Sequence, residues 1–195
     1  MRAASRFLAG LGVLALVGAG AAAAQRPQTR EGFWIGFGFG YGSADASCET
    51  ILGSPCGNAD RQRGVTGFLK LGGTLSPNLL LGGAVNAWTK EDQGITETLG
   101  NVTASVYFYP APANGFFLTG GLGFSSYQAS DGGTIDGNGW GFTAGLGYDI
   151  RVGRNVSLTP NVNFVYGAVG DIEKGAAATG WKQNIFDVGL GVTFH

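Results

Sequence analysis

Histidine, cysteine and charge are all scarce in this chain. A single histidine, His195, excludes a multi-histidine metal centre and leaves histidine-based catalysis only the final residue to use. Only 13% of residues are charged and the formal net charge is −1. The clustered Lys and Arg that a phosphate-binding surface needs are missing, so nucleic acid is not an expected partner. Glycine is abundant, at 37 of 195, but only 6 prolines and no strict triplet period accompany it, which rules out a collagen-like rod. The 13 Phe, 6 Tyr and 4 Trp exclude a disordered chain. The length suits one domain.

Arg2 and Arg6 precede an uncharged apolar run from Phe7 to Ala24 that closes on Ala22, Ala23 and Ala24 before Gln25. A basic start, an apolar middle and a small-residue end are the plan of a secretory signal peptide. The run also approaches the length of a retained membrane-spanning helix. Its Ala/Gly richness and Ala-x-Ala end favour cleavage after Ala24. The expected organisation is a signal peptide over 1–24, a short N-terminal segment over 25–31 and one domain over 32–195. In the oxidising compartment this implies, Cys48 and Cys56 are expected to close a disulfide within a long loop, contributing about 2 to 3 kcal/mol. Their spacing is not C-x-x-C and no histidine is nearby, which argues against a redox or metal site.

Past residue 31 no segment repeats apolar residues at the helical period, whereas alternation at period two recurs throughout. Phe33, Ile35, Phe37, Phe39 and Tyr41 form one face of the first run, and Trp34, Gly36, Gly38 and Gly40 the other. Seven more runs are expected near Gly64 to Leu75, Leu79 to Lys90, Ile95 to Tyr109, Gly115 to Tyr127, Gly139 to Arg151, Val156 to Gly167 and Trp181 to Phe194. The links at Ser76 to Asn78, Pro110 to Asn114 and Val152 to Asn155 are short and carry the Pro, Gly or Asn of tight turns. Those at Ser43 to Arg63, Gln128 to Asn138 and Ala168 to Gly180 are long and polar, with Glu91 to Gly94 the short exception. Short links on one rim and mostly long ones on the other predict an all-β fold, an eight-stranded antiparallel up-and-down transmembrane barrel.

Residues facing each other across an antiparallel pair share a side of the sheet, so parity tests the assignment. Around Pro77, Leu75 is expected to meet Leu79, Leu71 to meet Gly83, and Lys70 to meet Ala84. Around Gln93, Val85 should face Val102, Asn86 should face Asn101, and Lys90 should face Glu97.

The apolar faces carry Phe116, Leu118, Leu122 and Phe124 on one strand and Trp140, Phe142, Leu146 and Tyr148 on the next. The opposite faces hold Thr119, Thr143, Asp149, Arg151, Asn161, Asn163 and Asp187 among glycines. Apolar sides turned inward would make a soluble, lipocalin-like barrel. The aromatics argue for the reverse: Tyr41, Trp140 and Tyr166 fall near the loop end, and Phe33, Phe108, Phe116, Tyr148 and Phe194 near the turn end. Two aromatic girdles around an aliphatic middle match the two interfaces of a bilayer. Hydrocarbon offers backbone amides no partner, so strands cross it only as a closed cylinder.

On these residues the sequence resembles the small outer-membrane β-barrel family, of the OmpA transmembrane domain and OmpX type, from about Gly32 to the end. The most specific element is the last strand, where Asp187, Gly189, Val192 and Phe194 look like the family's barrel-assembly signal. The resemblance implies recognition by the barrel assembly machinery, the bacterial outer membrane as location, and contact with outer-membrane lipid and lipopolysaccharide. Family members commonly end on the aromatic residue, whereas His195 follows Phe194 here; tolerance is expected because the internal spacing is intact.

Eight strands enclose a lumen only just wide enough for side chains to fill it. Inward glycines, such as Gly36, Gly38, Gly189 and Gly191, are expected to make room for larger neighbours like Lys70 within a hydrogen-bonded plug. Buried charges must be paired, so Lys70 and Asp187 are expected to pair across the lumen. Asp149 and Arg151 are expected to form a second group toward the turn end, and Glu97 is a further lumen charge. The alternating glycines are strand interior rather than a phosphate loop, which needs a helix after the strand. Barrels that modify lipid A use a His with Ser and a carboxylate, and here only His195 is available. The resulting expectation is a non-catalytic monomer with no cofactor, structural or adhesive, whose loops face an extracellular ligand that nothing in their composition names. A narrow channel for ions or small hydrophobic molecules is the alternative.

Overall fold

The computed structural model describes residues 30–51, 54–55, 61–92, 94–130, 134–172 and 178–195. Eight long strands follow one another: β1 (Phe33–Ser47), β2 (Gln62–Ser76), β3 (Leu79–Asp92), β4 (Ile95–Phe108), β5 (Phe116–Ser130), β6 (Thr134–Tyr148), β7 (Val156–Ile172) and β8 (Ala178–Phe194). Each pairs antiparallel with its neighbour in sequence, and β8 returns to β1 with Ile35 opposite Phe194, closing the cylinder. No helix interrupts the described residues.

Alternation decides which way each strand faces. Phe39, Leu122, Phe124, Trp140 and Leu190 are 74%, 69%, 76%, 56% and 52% exposed, whereas Thr143, Asn161 and Asp187 are buried. A wall so apolar would be insoluble in water and is suited to acyl chains.

Three expectations need correction. Leu75 does not meet Leu79: the register slips between Thr74 and Ser76, so that Ser76 faces Leu79 and Leu75 becomes the extra residue of a bulge beside the turn. The expected partners Leu71 and Gly83, Lys70 and Ala84, Asn86 and Asn101, and Lys90 and Glu97 do face each other. The connections expected at Gln128 to Asn138 and at Ala168 to Gly180 are largely strand, with Ser130 opposite Thr134 and Ile172 opposite Ala178. In the first loop, β1 runs on to Ser47 and a two-residue hairpin, Thr50–Ile51 with Ser54–Pro55, adds itself to β8. The strands are 14 to 17 residues long, against about 9 to 11 for a bilayer crossing. Their turn ends are level, so the surplus rises on the loop side as a polar collar. Cys56 and residues 1–24 lie outside the described residues, and with them the Cys48–Cys56 bridge and the leader.

Candidate functional site

The lumen is closed at its turn end by a charged knot laid over an aromatic cluster. Pro160 supplies no N–H to the ladder between β6 and β7, and the pairing breaks there, resuming where Leu158 faces Ile150 and Ser157 faces Arg151. The Asp149 amide instead donates to Gly115 O at 2.9 Å. Its carboxylate, fully buried, then becomes a hub: Tyr109 Oη donates to Oδ2 at 2.8 Å and Thr159 Oγ1 to Oδ1 at 2.8 Å. Arg30 Nη2 and His195 Nε2 stand 3.8 and 3.3 Å from Oδ2. Arg30 lies just before β1, its guanidinium 3.6 Å above the Tyr109 ring and donating to the Pro112 and Asn114 carbonyls at 3.1 Å each. The extra residue His195 is built into this rim, its amide donating to Asn155 O at 2.9 Å.

Behind the knot, Trp34, Leu80, Tyr107, Tyr109 and Phe117 form a buried cluster. Trp34 and Tyr107 meet edge to face at 4.9 Å. The expected Lys70–Asp187 pair is absent. Lys70 Nζ instead sits 4.9 and 5.2 Å over the rings of Phe117 and Tyr107, while Asp187 accepts from Asn163 Nδ2 at 3.1 Å. The reason is crowding: Phe68, inward on the same strand as Lys70, fills the space over Gly38, Gly189 and Gly191 through which the ammonium would have to reach. Asp149 and Arg151 do gather at the turn end, both buried.

The middle of the lumen is the hydrogen-bonded part. Asn101 Nδ2 donates to Ser125 Oγ at 2.9 Å and Thr143 Oγ1 donates to Asn101 Oδ1 at 3.0 Å, joining three strands. Among the described residues the space left between Lys70, Phe117 and Asn161 is a cavity of about 30 Å³, room for an isolated water and no path. Above it a second apolar cluster, Ala44, Trp88, Leu99, Val165 and Ile185, crosses the lumen, with Trp88 Nε1 donating to Gly42 O at 3.3 Å. The interior is therefore less polar than expected, with an aromatic seal at the turn end and a largely aliphatic one around Trp88 at the loop end.

Glu97 faces inward but stands above the second seal, half-buried at the mouth, where Tyr127 Oη lies 3.5 Å from its Oε1. Burial, then the Glu97 charge and this contact, push the Tyr127 phenol, which lies in the collar, up to about 12. Tyr127 packs on Trp181 at 4.8 Å between centroids. The wall outside carries the aromatic girdle residues: Phe33, Tyr41, Phe108, Phe116, Trp140 and Phe194 are exposed, and Tyr148 and Tyr166 partly so. Trp140 and Tyr166 touch at 5.5 Å. Of the last-strand motif, Asp187 and Gly189 are buried in the lumen, and Val192 and Phe194 occupy the alternate, outward positions.

The seals were readable by parity, since Trp34, Leu80, Trp88 and Phe117 all alternate with outward apolar residues. Arg30 was not, because it precedes the first strand. No group of three His, Cys, Asp or Glu side chains able to hold a metal occurs among the described residues.

Residues 12–194 match the family model described as the outer membrane protein beta-barrel domain. No curated protein matches the chain. Among solved structures, Neisserial surface protein A is similar at 17% identity and a TM-score of 0.54, over 85% of this chain and 98% of that one. The attachment invasion locus protein Ail of Yersinia pestis is similar at 17% identity and a TM-score of 0.54, over 84% and 99%. Ail in complex with the heparin analogue sucrose octasulfate is similar at 15% and 0.51, over 84% and 99%. At these identities the likeness shows the fold.

Proposed function

The chain belongs to the outer membrane protein beta-barrel domain family, whose members lie in the bacterial outer membrane, and from that premise we propose a non-catalytic scaffold that carries surface-exposed loops on a sealed barrel. The observation that carries this reading is the closed lumen: Trp34 with Phe117 at one end and Trp88 with Leu99 at the other, each at most 4% exposed. His195 is 1% exposed in its side chain and faces Asp149, so no substrate reaches the single imidazole. Ail shares the scaffold; the structural or adhesive role proposed for this chain rests on its own seals and on the loop-side collar.

The rest of the reading follows the export route. The leader is removed after Ala24, and the last-strand motif ending at Phe194 hands the chain to the barrel assembly machinery. The girdle rings settle at the lipid and lipopolysaccharide interfaces, and Cys48 and Cys56 brace the first loop. Phe194→Ala is expected to lower the heat-modifiable barrel recovered in outer-membrane fractions; an unchanged yield would remove that motif from the account. The function itself is tested by reconstitution into planar bilayers, where the sealed lumen gives no steps of conductance. Stable steps would favour the narrow channel instead.

A further inference from the structure

The loop-side mouth holds more than the second seal requires. Six strands converge there: Gln62, Trp88, Glu97, Leu99, Tyr127 and Trp181, with Asp45 of β1, border a cavity of about 50 Å³. A neighbouring space of about 240 Å³, bordered by Lys90 and Asp92, shares Gln62 and Glu97 in its wall. The floor is shut by Trp88, so the vestibule is a dead end.

Its polar groups are not equivalent. Lys90 is committed, its Nζ 2.9 Å from Asp92 Oδ2 and donating to Gln62 Oε1 at 3.0 Å. Glu97 has no cation within ion-pair distance among the described residues; its one side-chain contact there is the long one from Tyr127. Trp181 Nε1 is buried and has no hydrogen-bond partner among the described residues. A half-buried carboxylate whose cross-strand lysine is turned to another carboxylate, Asp92, and that lies beside two aromatic faces is the combination that receives a weakly hydrated cation. A neutral saccharide is served less well, because Gln62 Oε1 and Lys90 are already engaged with each other.

We propose that this vestibule binds a small organic cation, a methylated or quaternary ammonium on a short chain, with its methyl groups against Trp181 and Tyr127 and its charge balanced by Glu97. The proposal rests on the loop side being the outer surface of a sealed barrel. The ammonium could arrive as a free amine or as a lipid headgroup, and the chemistry recognised is the same.

The test uses the full barrel in a polyoxyethylene detergent, which carries neither sugar nor ammonium, with tryptophan fluorescence and calorimetry as readouts. Choline is compared with its neutral isostere 3,3-dimethylbutan-1-ol, with methyl glucoside and with phosphocholine. Choline or phosphocholine should bind about tenfold more tightly than the isostere, and the better of the two names the source. Trp181→Ala and Glu97→Gln should each weaken binding about 5- to 30-fold, whereas Trp140→Ala, on the outer wall, should leave it unchanged. Each variant is first shown to keep the heat-modifiable gel shift of the folded barrel. Equal binding of the isostere, preference for the glucoside, indifference to both variants, or no binding of either ammonium compound overturns the proposal. Labelling of Lys90 in intact cells by a membrane-impermeant amine reagent, mapped by mass spectrometry, tests the underlying orientation separately. Lost labelling with retained binding sinks the orientation, and retained labelling with no binding sinks the vestibule alone.

Discussion

The two ends of the lumen are each sealed by a buried apolar cluster and finished in opposite ways. At the turn end an aromatic cluster is capped by ions that are dry and mutually engaged, with Asp149 and Arg30 fully buried side chains. At the loop end a largely aliphatic cluster around Trp88 is capped by ions that are wet, Lys90 and Asp92 having side chains 28% and 67% exposed. The first end has level strands and tight turns, so its charges have nowhere to hydrate and must find partners. The second continues into a collar that stands in water, where the same residue types are free to be matched or left open. One end is built to hold the cylinder shut, and the other to meet what lies outside.

The contrast predicts a graded response to substitution. Asp149→Ala removes the carboxylate that Arg30, Tyr109, Thr159 and His195 share and should cost about 3 to 5 kcal/mol in denaturant unfolding of the folded barrel. A loss below that range would mean the knot is ornamental. Gly36→Ala probes the wall between the two ends. Its Cβ would fall 2.6 Å from Lys70 Cε and 2.9 Å from Thr193 Oγ1, which should cost about 1 to 3 kcal/mol through overpacking. A neutral result would show that Lys70 has other room. Lys90→Ala removes the exposed pair at the mouth and should change stability by less than about 1 kcal/mol. A cost equal to that of Asp149→Ala would erase the distinction between the ends.

The fold was legible because the bilayer and the lumen impose opposite demands on alternate residues, and Phe33 to Tyr41 against Trp34 to Gly40 record them directly. Loop-side strand ends were not, because the sequence from Gln128 to Asn138 carries a single large apolar residue, Ile135, and so lacks the apolar alternation that marks a membrane strand. The bulge at Leu75 left no trace either, since a slip of one residue beside a tight turn changes no composition. Among the site residues, Asp149 and Arg151 could be placed together because they are two apart on one face at one rim. Lys70 and Asp187 share a face but lie on different strands, and their meeting depended on what stood between them. Phe68, two residues from Lys70 on the same side, was the obstacle, and only packing revealed it.

The central claim is that the apolar faces look outward onto lipid around a filled interior. Single-cysteine replacements at Leu122 and Leu146 on the outer wall, and at Thr143 and Asn161 in the lumen, can be compared for reaction with a lipid-restricted thiol probe in a background lacking Cys48 and Cys56. The account predicts strong labelling at Leu122 and Leu146 and almost none at Thr143 and Asn161. Labelling at Thr143 or Asn161 in place of the leucines would contradict it.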